Sequence, residues 1–293
     1  MKAILLSAAA IAAIAGPALA KEPRVEIEHA VARVVVIVED RADIGVEIQQ
    51  GSSRLPALRV ERRGDEVHID GGLGRRVGGL RVGDSIRECR SGPDRTRPGH
   101  GASVEVRDLG RVSLDDAPLI VIRSPRAVNV DASGAVFGSI GRGATSVEMG
   151  NGGCGDWVIA NTDGPVVASM GGSGALMAGA SRSLEANLGG SGELTAGATG
   201  ALELNMGGSG EARIAQVDGD AEISIGGSGE VSIRRGRIPN LEISVAGSGD
   251  VDFGGTAGDV SVSIAGSGDI RIAEATGAVS RSVIGSGDIR IGR

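Results

Sequence analysis

The sequence is nearly without aromatic side chains: among its 293 residues it has no tyrosine, one tryptophan and two phenylalanines. Proteins that bind single-stranded nucleic acid stack bases on aromatic rings, and membrane proteins often carry an aromatic belt at the lipid interface. This composition argues against both classes and predicts no nucleic-acid partner. Only three histidines, His29, His68 and His100, are present, which leaves few ligands for a metal cluster.

Glycine, by contrast, is abundant: the chain has 51 glycines, more than twice the usual share of about 7%. A glycine-rich chain can be disordered, but this one is 41% hydrophobic and 23% charged, which is typical of a folded globular protein. The glycines are therefore expected to serve an ordered structure.

Residues 1–20 have the pattern of a secretory signal peptide. Lys2 supplies the charge, residues 3–16 form an apolar run too short to span a bilayer, and Ala18-Leu19-Ala20 is a small-x-small cleavage site. Cleavage before Lys21 is expected, and an uncleaved membrane anchor is the alternative. No later run of about 18 apolar residues occurs, so the mature chain is predicted to have no transmembrane segment and to be exported to the periplasm or cell surface.

The strongest signal in the sequence is a repeat of the tripeptide Gly-Ser-Gly. Its serines are Ser173, Ser191, Ser209, Ser228, Ser248, Ser267 and Ser286, at intervals of 18, 18, 19, 20, 19 and 19 residues. Imperfect copies at 132–134 and 153–155 precede them. A period near 19 is too short for a strand, crossover helix and strand, and no helical periodicity is present.

Within each period the apolar residues alternate, which predicts strands with one buried face. Apolar columns flank the glycine turns: Met149, Met170, Leu188, Met206, Ile225, Val245, Ile264 and Val283 before them, and Leu176, Leu194, Ala212, Val231, Val251, Ile270 and Ile289 after them. Strands that stack once per period form a parallel β-helix of roughly nine coils. Glycine is expected at each sharp corner because it reaches positive φ without a steric penalty. Seven identical serines without a neighbouring histidine column predict no catalytic site.

A column of acids follows the corner, made of Glu193, Glu211, Glu230, Asp250, Asp269 and Asp288. Stacked in register, their carboxylates would lie about 5 Å apart and repel unless cations, water or arginines intervene. Arg271 and Arg290 are close enough to relieve the last two. The column is interpreted as a solvated ladder, with a weak calcium site as the alternative, and no metal or cofactor site is predicted.

Charge is unevenly distributed along the chain. Residues 72–102 hold seven arginines against three acids, whereas residues from 150 onward hold seventeen acids against nine arginines. A solvated loop, docking of the loop on the acidic body and attraction to an anionic polymer all remain open. Arg63-Gly64-Asp65 spells an integrin-type tripeptide, but it lies between two strand-like runs where Gly-Asp is ordinary hairpin chemistry.

The two cysteines of the chain, Cys89 and Cys154, are predicted to form a disulfide. The predicted compartment is oxidising, and two cysteines allow one intramolecular pairing. A buried free Cys154 and a mobile Cys89 is the alternative.

The repeated Gly-Ser-Gly-Asp/Glu-hydrophobic-x-hydrophobic units, notably at 247–253, 266–272 and 285–291, resemble the bacterial head GIN domain family, described as auto-transporter adhesins. The alternations at 34–36, 44–51 and 64–69 add to this likeness, which is strongest from Leu119 onward. The resemblance implies an exported right-handed parallel β-helix without an assigned reaction. Two features depart from the family pattern: the Arg/Gly-rich insertion, and Cys154 in place of a corner serine.

The sequence therefore predicts an all-β protein with three parts: a signal peptide at 1–20, an N-terminal β region at 21–118 with a flexible Arg/Gly-rich insertion at 72–102, and parallel β-helix repeats at 119–293. The predicted function is a non-enzymatic structural or adhesive role in the cell envelope, with an envelope polymer or a protein as partner. A secreted polysaccharide-modifying enzyme is the alternative, although such enzymes need clustered carboxylates in a cleft and these acids are evenly spread.

Overall fold

The computed structural model describes residues 23–77 and 80–292. Within these ranges, only the backbone is described for residues 75–84. The strands of its first half are β1 (Arg24–Val38), β2 (Gly45–Gln49), β3 (Arg59–Arg63), β4 (Glu66–Asp70), β5 (Gly74–Val77), β6 (Leu80–Asp84), β7 (Ile86–Arg90), β8 (Ser103–Val106), β9 (Gly110–Ser113), β10 (Leu119–Ser124), β11 (Ala127–Ile140) and β12 (Ser146–Asn151). Those of the second half are β13 (Trp157–Ile159), β14 (Pro165–Met170), β15 (Ala175–Ala178), β16 (Ser181–Leu188), β17 (Glu193–Met206), β18 (Glu211–Val217), β19 (Ala221–Ile225), β20 (Glu230–Ile233), β21 (Arg237–Gly247), β22 (Asp250–Gly266), β23 (Asp269–Ala275), β24 (Val279–Gly285) and β25 (Asp288–Ile291). A short 3-10 helix covers Leu114–Asp116. The predicted signal peptide lies outside the described residues.

The strands from β11 onward build a parallel β-solenoid of about nine turns with coils of about 19 residues, which confirms the predicted fold class. One sheet stacks the strand segments before each glycine corner, as in β14–β16 and β19–β21, and a second stacks those after it, as in β18–β20 and β23–β25. The long strands β11, β17 and β22 bend and contribute to both sheets. The right-handed winding stays a prediction.

The core lies inside the coils, where residues at equivalent positions of successive coils stack on one another along the solenoid. Leu204 pairs with Ile223 and Ile223 with Ile243, and each is at most 1% exposed. Most members of the two predicted apolar columns are buried in the same way, whereas Val283 on the last coil is 42% exposed. Because each coil pairs with the coils on either side, the core is continuous along the solenoid.

One predicted core position is occupied by a different residue. Met149 is buried, but its strand partner is Ala168, and Asn151 stands beside Met170 where Met149 was expected. This prediction was wrong because two more residues separate Met149 from its corner than separate Met170 from the next. The buried Asn151 is satisfied locally, since its Nδ2 donates to the Gly155 carbonyl at 2.8 Å.

The glycine corners are explained mainly by close packing between coils. A Cβ atom added to Gly208, the first glycine of its triplet, would lie 2.0 Å from the Gly190 carbonyl oxygen, and one on Gly227 would lie 2.2 Å from that of Gly208. Positive φ, the predicted reason, occurs at this position on the last three corners, for example 151° at Gly266. Backbone stacking therefore excludes a side chain here even where φ is ordinary.

The N-terminal strands close one end of the solenoid. β1 pairs in parallel with β11, and on its other side it receives β4 and β10, also in parallel. β3 then pairs antiparallel with β4, and β2 antiparallel with β10, so the parallel stack ends in two antiparallel strands. This arrangement is the cap expected at the end of a repeat protein. The division of the chain at residue 118 stays a prediction.

A small sheet of β7, β8 and β9 covers part of the outer surface of the solenoid. Beneath it, Val31, Ala135 and Phe137 point away from the solenoid interior and form a second apolar cluster with residues of this sheet such as Val104 and Val106. The 86–90 part of the Arg/Gly-rich insertion is thus paired as a strand. The flexibility of the insertion stays a prediction.

Candidate binding surface

The acidic column after the glycine corner forms as the sequence predicts. Along the rod its members stand in the order Glu193, Glu211, Glu230, Asp250, Asp269 and Asp288, on strands that pair in register. Neighbouring strands in a sheet lie about 4.8 Å apart, so the like charges need compensation.

At the N-terminal end of the column the compensation comes from arginines. Arg213 contacts Glu193 at 2.9 Å and also contacts Glu211. Arg95, from the Arg/Gly-rich insertion, contacts Glu193 as well, and this hydrogen bond raises the pKa of the Arg95 guanidinium. The sequence left three interpretations of the basic segment open. At Arg95 the structure shows one of them, docking of this segment on the acidic solenoid.

Towards the C-terminal end the aspartates are compensated by backbone donors. The Asp269 N–H donates to Asp250 Oδ1 at 2.7 Å, and the Asp288 N–H donates to Asp269 Oδ1 at 3.1 Å. An aspartate side chain is short enough to accept a hydrogen bond from the adjacent coil. These two hydrogen bonds distinguish the aspartate part of the column from the glutamate part.

The two arginines predicted to relieve the last aspartates behave differently. Arg290 contacts Asp288 at 2.7 Å, as expected. Arg271 instead lies 3.5 Å from Asp252, its neighbour on the preceding coil. The described residues contain no group of three or more His, Cys, Asp or Glu side chains that could hold a metal ion.

The sequence reasoning missed one member of this column. Asp156 occupies the equivalent position on an earlier coil, is 4% exposed, and accepts the Ala175 N–H at 3.0 Å through Oδ1. The signal was present, since Asp156 stands two residues after Cys154 as Asp269 stands two after Ser267.

A second acidic column on the strands before the corner was also missed. It consists of Glu185, Glu203, Glu222 and Glu242, which pair successively on β16, β17, β19 and β21. Each stands six residues before a Gly-Ser-Gly serine, so the repeat contained the signal. The four glutamates line a groove of about 410 Å³ whose floor includes Val166, Leu184 and Leu202.

This second column has amide neighbours and, within the described residues, no ion pair. Asn187 Nδ2 lies 3.4 Å from Glu185 Oε1, and Asn205 Nδ2 lies 3.4 Å from Glu203 Oε1. Asn205 also donates to Asn187 Oδ1 at 3.2 Å. The column therefore presents its negative charge to solvent, unlike the column after the corner.

The structure brings the two cysteines together. Cys89 on β7 and Cys154 on the solenoid stand together with their Cα atoms 5.9 Å apart and their sulfur atoms in bonding contact. This separation is in the range that a disulfide requires. The oxidation of the pair in the cell stays a prediction.

The histidines and the integrin-type tripeptide occupy separate places. His29 has a φ of 51° within β1, His68 Nδ1 lies 3.3 Å from Glu26, and His100 Nδ1 lies 3.1 Å from Asp115. Gly64 and Asp65 form the turn between the antiparallel strands β3 and β4, and Arg63 is the last residue of β3, as the hairpin interpretation predicts.

The repeat region is similar to a known protein family. Residues 184–292 match the model of a family described as "Putative auto-transporter adhesin, head GIN domain". Among solved structures, a "Putative lipid binding protein" from Parabacteroides distasonis is similar, with 19% identity, a TM-score of 0.43 and 93% of each chain covered. Among curated proteins no relative matches. The resemblance of the Gly-Ser-Gly units is thereby confirmed: residues 184–292 are similar to the head GIN domain family.

Proposed function

We propose that this protein is an exported, non-enzymatic module of the cell envelope that has an adhesive or structural role. Its partner is a polymer or protein of the envelope that carries positive charge at repeated positions. The family description as an adhesin domain supports this role.

The observation that carries the proposal is the column of Glu185, Glu203, Glu222 and Glu242. It repeats one carboxylate on four successive coils, and its groove is open to solvent. Glycoside hydrolysis uses two carboxylates with different roles on either side of one bond, whereas a repeated identical group suits a repetitive partner. Complementary charge would also speed the encounter with such a partner.

Two features support export. The first twenty residues have the signal-peptide pattern, and the contact between Cys89 and Cys154 suits a compartment in which disulfides persist. Comparison of the full chain with a chain lacking residues 2–20, by cell fractionation, tests this part of the proposal. Retention of the full chain in the cytoplasm would contradict it.

Binding is tested with the mature protein, beginning at Lys21, and isolated cell envelopes of the producing bacterium. Replacement of the four glutamates by glutamine should weaken binding on the order of tenfold, because four exposed charge pairs are lost. The matched control replaces four scattered exposed acids, Glu47, Glu88, Asp163 and Asp252, by their amides and changes net charge equally.

The outcomes separate the two functional interpretations. Loss of binding in the column variant alone supports the proposal. Equal loss of binding in both variants would show that only net charge matters, and would contradict the proposal. Release of reducing sugar from the envelopes by the purified protein would favour the polysaccharide-modifying alternative.

A further inference from the structure

One outer face of the solenoid is apolar where the equivalent face further along is polar. Strand pairing places outward residues of successive coils in a single row: Val121, Val35, Ser139, Val158, Met177, Thr195, Arg213, Ser232, Asp252, Arg271 and Arg290. The row is mainly aliphatic up to Met177 and polar from Thr195 onward. Val35 is 37% exposed, and Ile37, two residues further along the same strand, is 36% exposed.

A groove runs beside this apolar stretch. Its volume is about 370 Å³, and Val158, Ala160 and Met177 are among the residues that line it. The groove exists because the adjoining row contains Gly179 and Gly197, where a Cβ atom would lie within 3 Å of the preceding coil. Tight stacking of the backbone thus leaves a trough next to aliphatic side chains. Met177 is a suitable lining residue because an unbranched thioether adapts to the shape of an apolar ligand.

One end of the groove carries hydrogen-bond donors. Arg142 lines the groove, is exposed, and has no ion pair or hydrogen-bond partner for its guanidinium in the part of the chain that the structure describes. Beside it, the side-chain oxygen Oδ1 of Asn161 accepts the Ala180 N–H at 3.0 Å, which leaves the side-chain Nδ2 group of Asn161 as a donor. The described lining includes no carboxylate.

We propose that this groove binds a single-chain amphiphile with an anionic head group. The alkyl chain lies along Val158 and Met177, and the head group lies at Arg142 and Asn161. The site is independent of the proposed function, since it shares no residue with the column of Glu185, Glu203, Glu222 and Glu242. Binding here leaves the glutamate column free.

The binding test uses calorimetric titration of the mature protein with sodium decanoate below its micellar concentration. We expect saturable binding of one decanoate per chain. Octanoate should bind roughly three- to fifteenfold more weakly, since each methylene kept from water contributes up to about fourfold. Decyltrimethylammonium, which has the same chain and a positive head group, should bind at least about tenfold more weakly than decanoate.

Variants locate the site. Met177→Asp should abolish decanoate binding. Arg142→Gln should weaken decanoate binding about threefold and strengthen binding of the cationic amphiphile, because the repelling charge is removed. The matched controls are Ser232→Asp, in the same row outside the groove, and Arg234→Gln, an exposed arginine on β20's following turn. Both should bind decanoate like the parent protein, and thermal melts verify that every variant is folded.

Other results would overturn the proposal. Absence of saturable binding would do so, as would equal affinity for the anionic and cationic amphiphiles. Ile284, 75% exposed on the last coil, offers a competing apolar surface. If Ile284→Asp abolishes binding and Arg142→Gln has no effect, the ligand binds at the last coil and the groove is not the site.

Discussion

A charge placed in the solenoid core should unfold several coils together. Ile264 is 1% exposed and pairs with Val245 on one side and Val283 on the other. Ile264→Asp removes a buried aliphatic side chain and introduces a carboxylate that has no cation within the core. Because neighbouring coils share strand hydrogen bonds and apolar contacts, the damage should spread beyond one coil.

The magnitude follows from two contributions. Burial of an isoleucine side chain stabilises a fold by about 1.5–3 kcal/mol, and an unpaired buried polar group costs at least a further ~2 kcal/mol. A total near 4 kcal/mol corresponds to a fall in melting temperature of roughly 8–16 °C for a chain of this size. Circular dichroism at increasing temperature measures the midpoint, and hydrogen exchange identifies which coils lose protection.

The matched control is Ser263→Asp, which adds the same charge one residue earlier. Ser263 is exposed and points outward between Ser244 and Ser282, so its replacement should shift the midpoint by no more than a degree or two. If Ile264→Asp melts like the control, the proposed stacking of core columns is refuted. Loss of protection confined to one coil would instead refute the coupling between coils.

Three further predictions concern the disulfide, one glycine corner and the 3-10 helix. Denatured, unreduced protein should show no reactive thiol, and Cys89→Ser should destabilise the protein by up to about 4 kcal/mol because the 65-residue loop to Cys154 is no longer closed; two reactive thiols per chain would contradict this. Gly208→Ala should lower the melting temperature markedly, since its Cβ would lie 2.0 Å from a carbonyl oxygen of the adjacent coil, and an unchanged midpoint would show that the coils can separate there. The hydrogen bond from the Gly101 backbone N–H and, to a lesser extent, the contact with His100 lower the pKa of the Asp115 carboxyl. Ionised Asp115 therefore stabilises the folded chain at pH values above the unfolded-state pKa, and this stabilisation is lost as the pH falls through the lower folded-state pKa. The difference in melting temperature between the parent and Asp115→Asn should therefore shrink from pH 6 to pH 2, and a constant difference would contradict the assignment.

Local patterns account for the parts of the fold that the sequence predicts well. Alternation with a period of two decides which face of each strand is buried, and the 19-residue repeat decides that these faces stack. Residues such as Leu194 and Ile270 are consequently buried where expected, and Glu211 and Asp269 stand in the expected acidic column. The four-glutamate column was equally readable, since it follows the same repeat.

By itself, then, the sequence determined the solenoid, its period, its inward columns and its glycine corners, because these depend on residues close together in the chain. The tertiary structure decided what depends on distant segments: the exchange of Met149 for Asn151 at one core position, the contact of Arg95 with Glu193, and the covering of Phe137 by the β7–β9 sheet. It also decided where an outward face stays apolar and open, as at Met177. Register and docking between distant segments depend on three-dimensional packing, which a local alternation of residues does not specify.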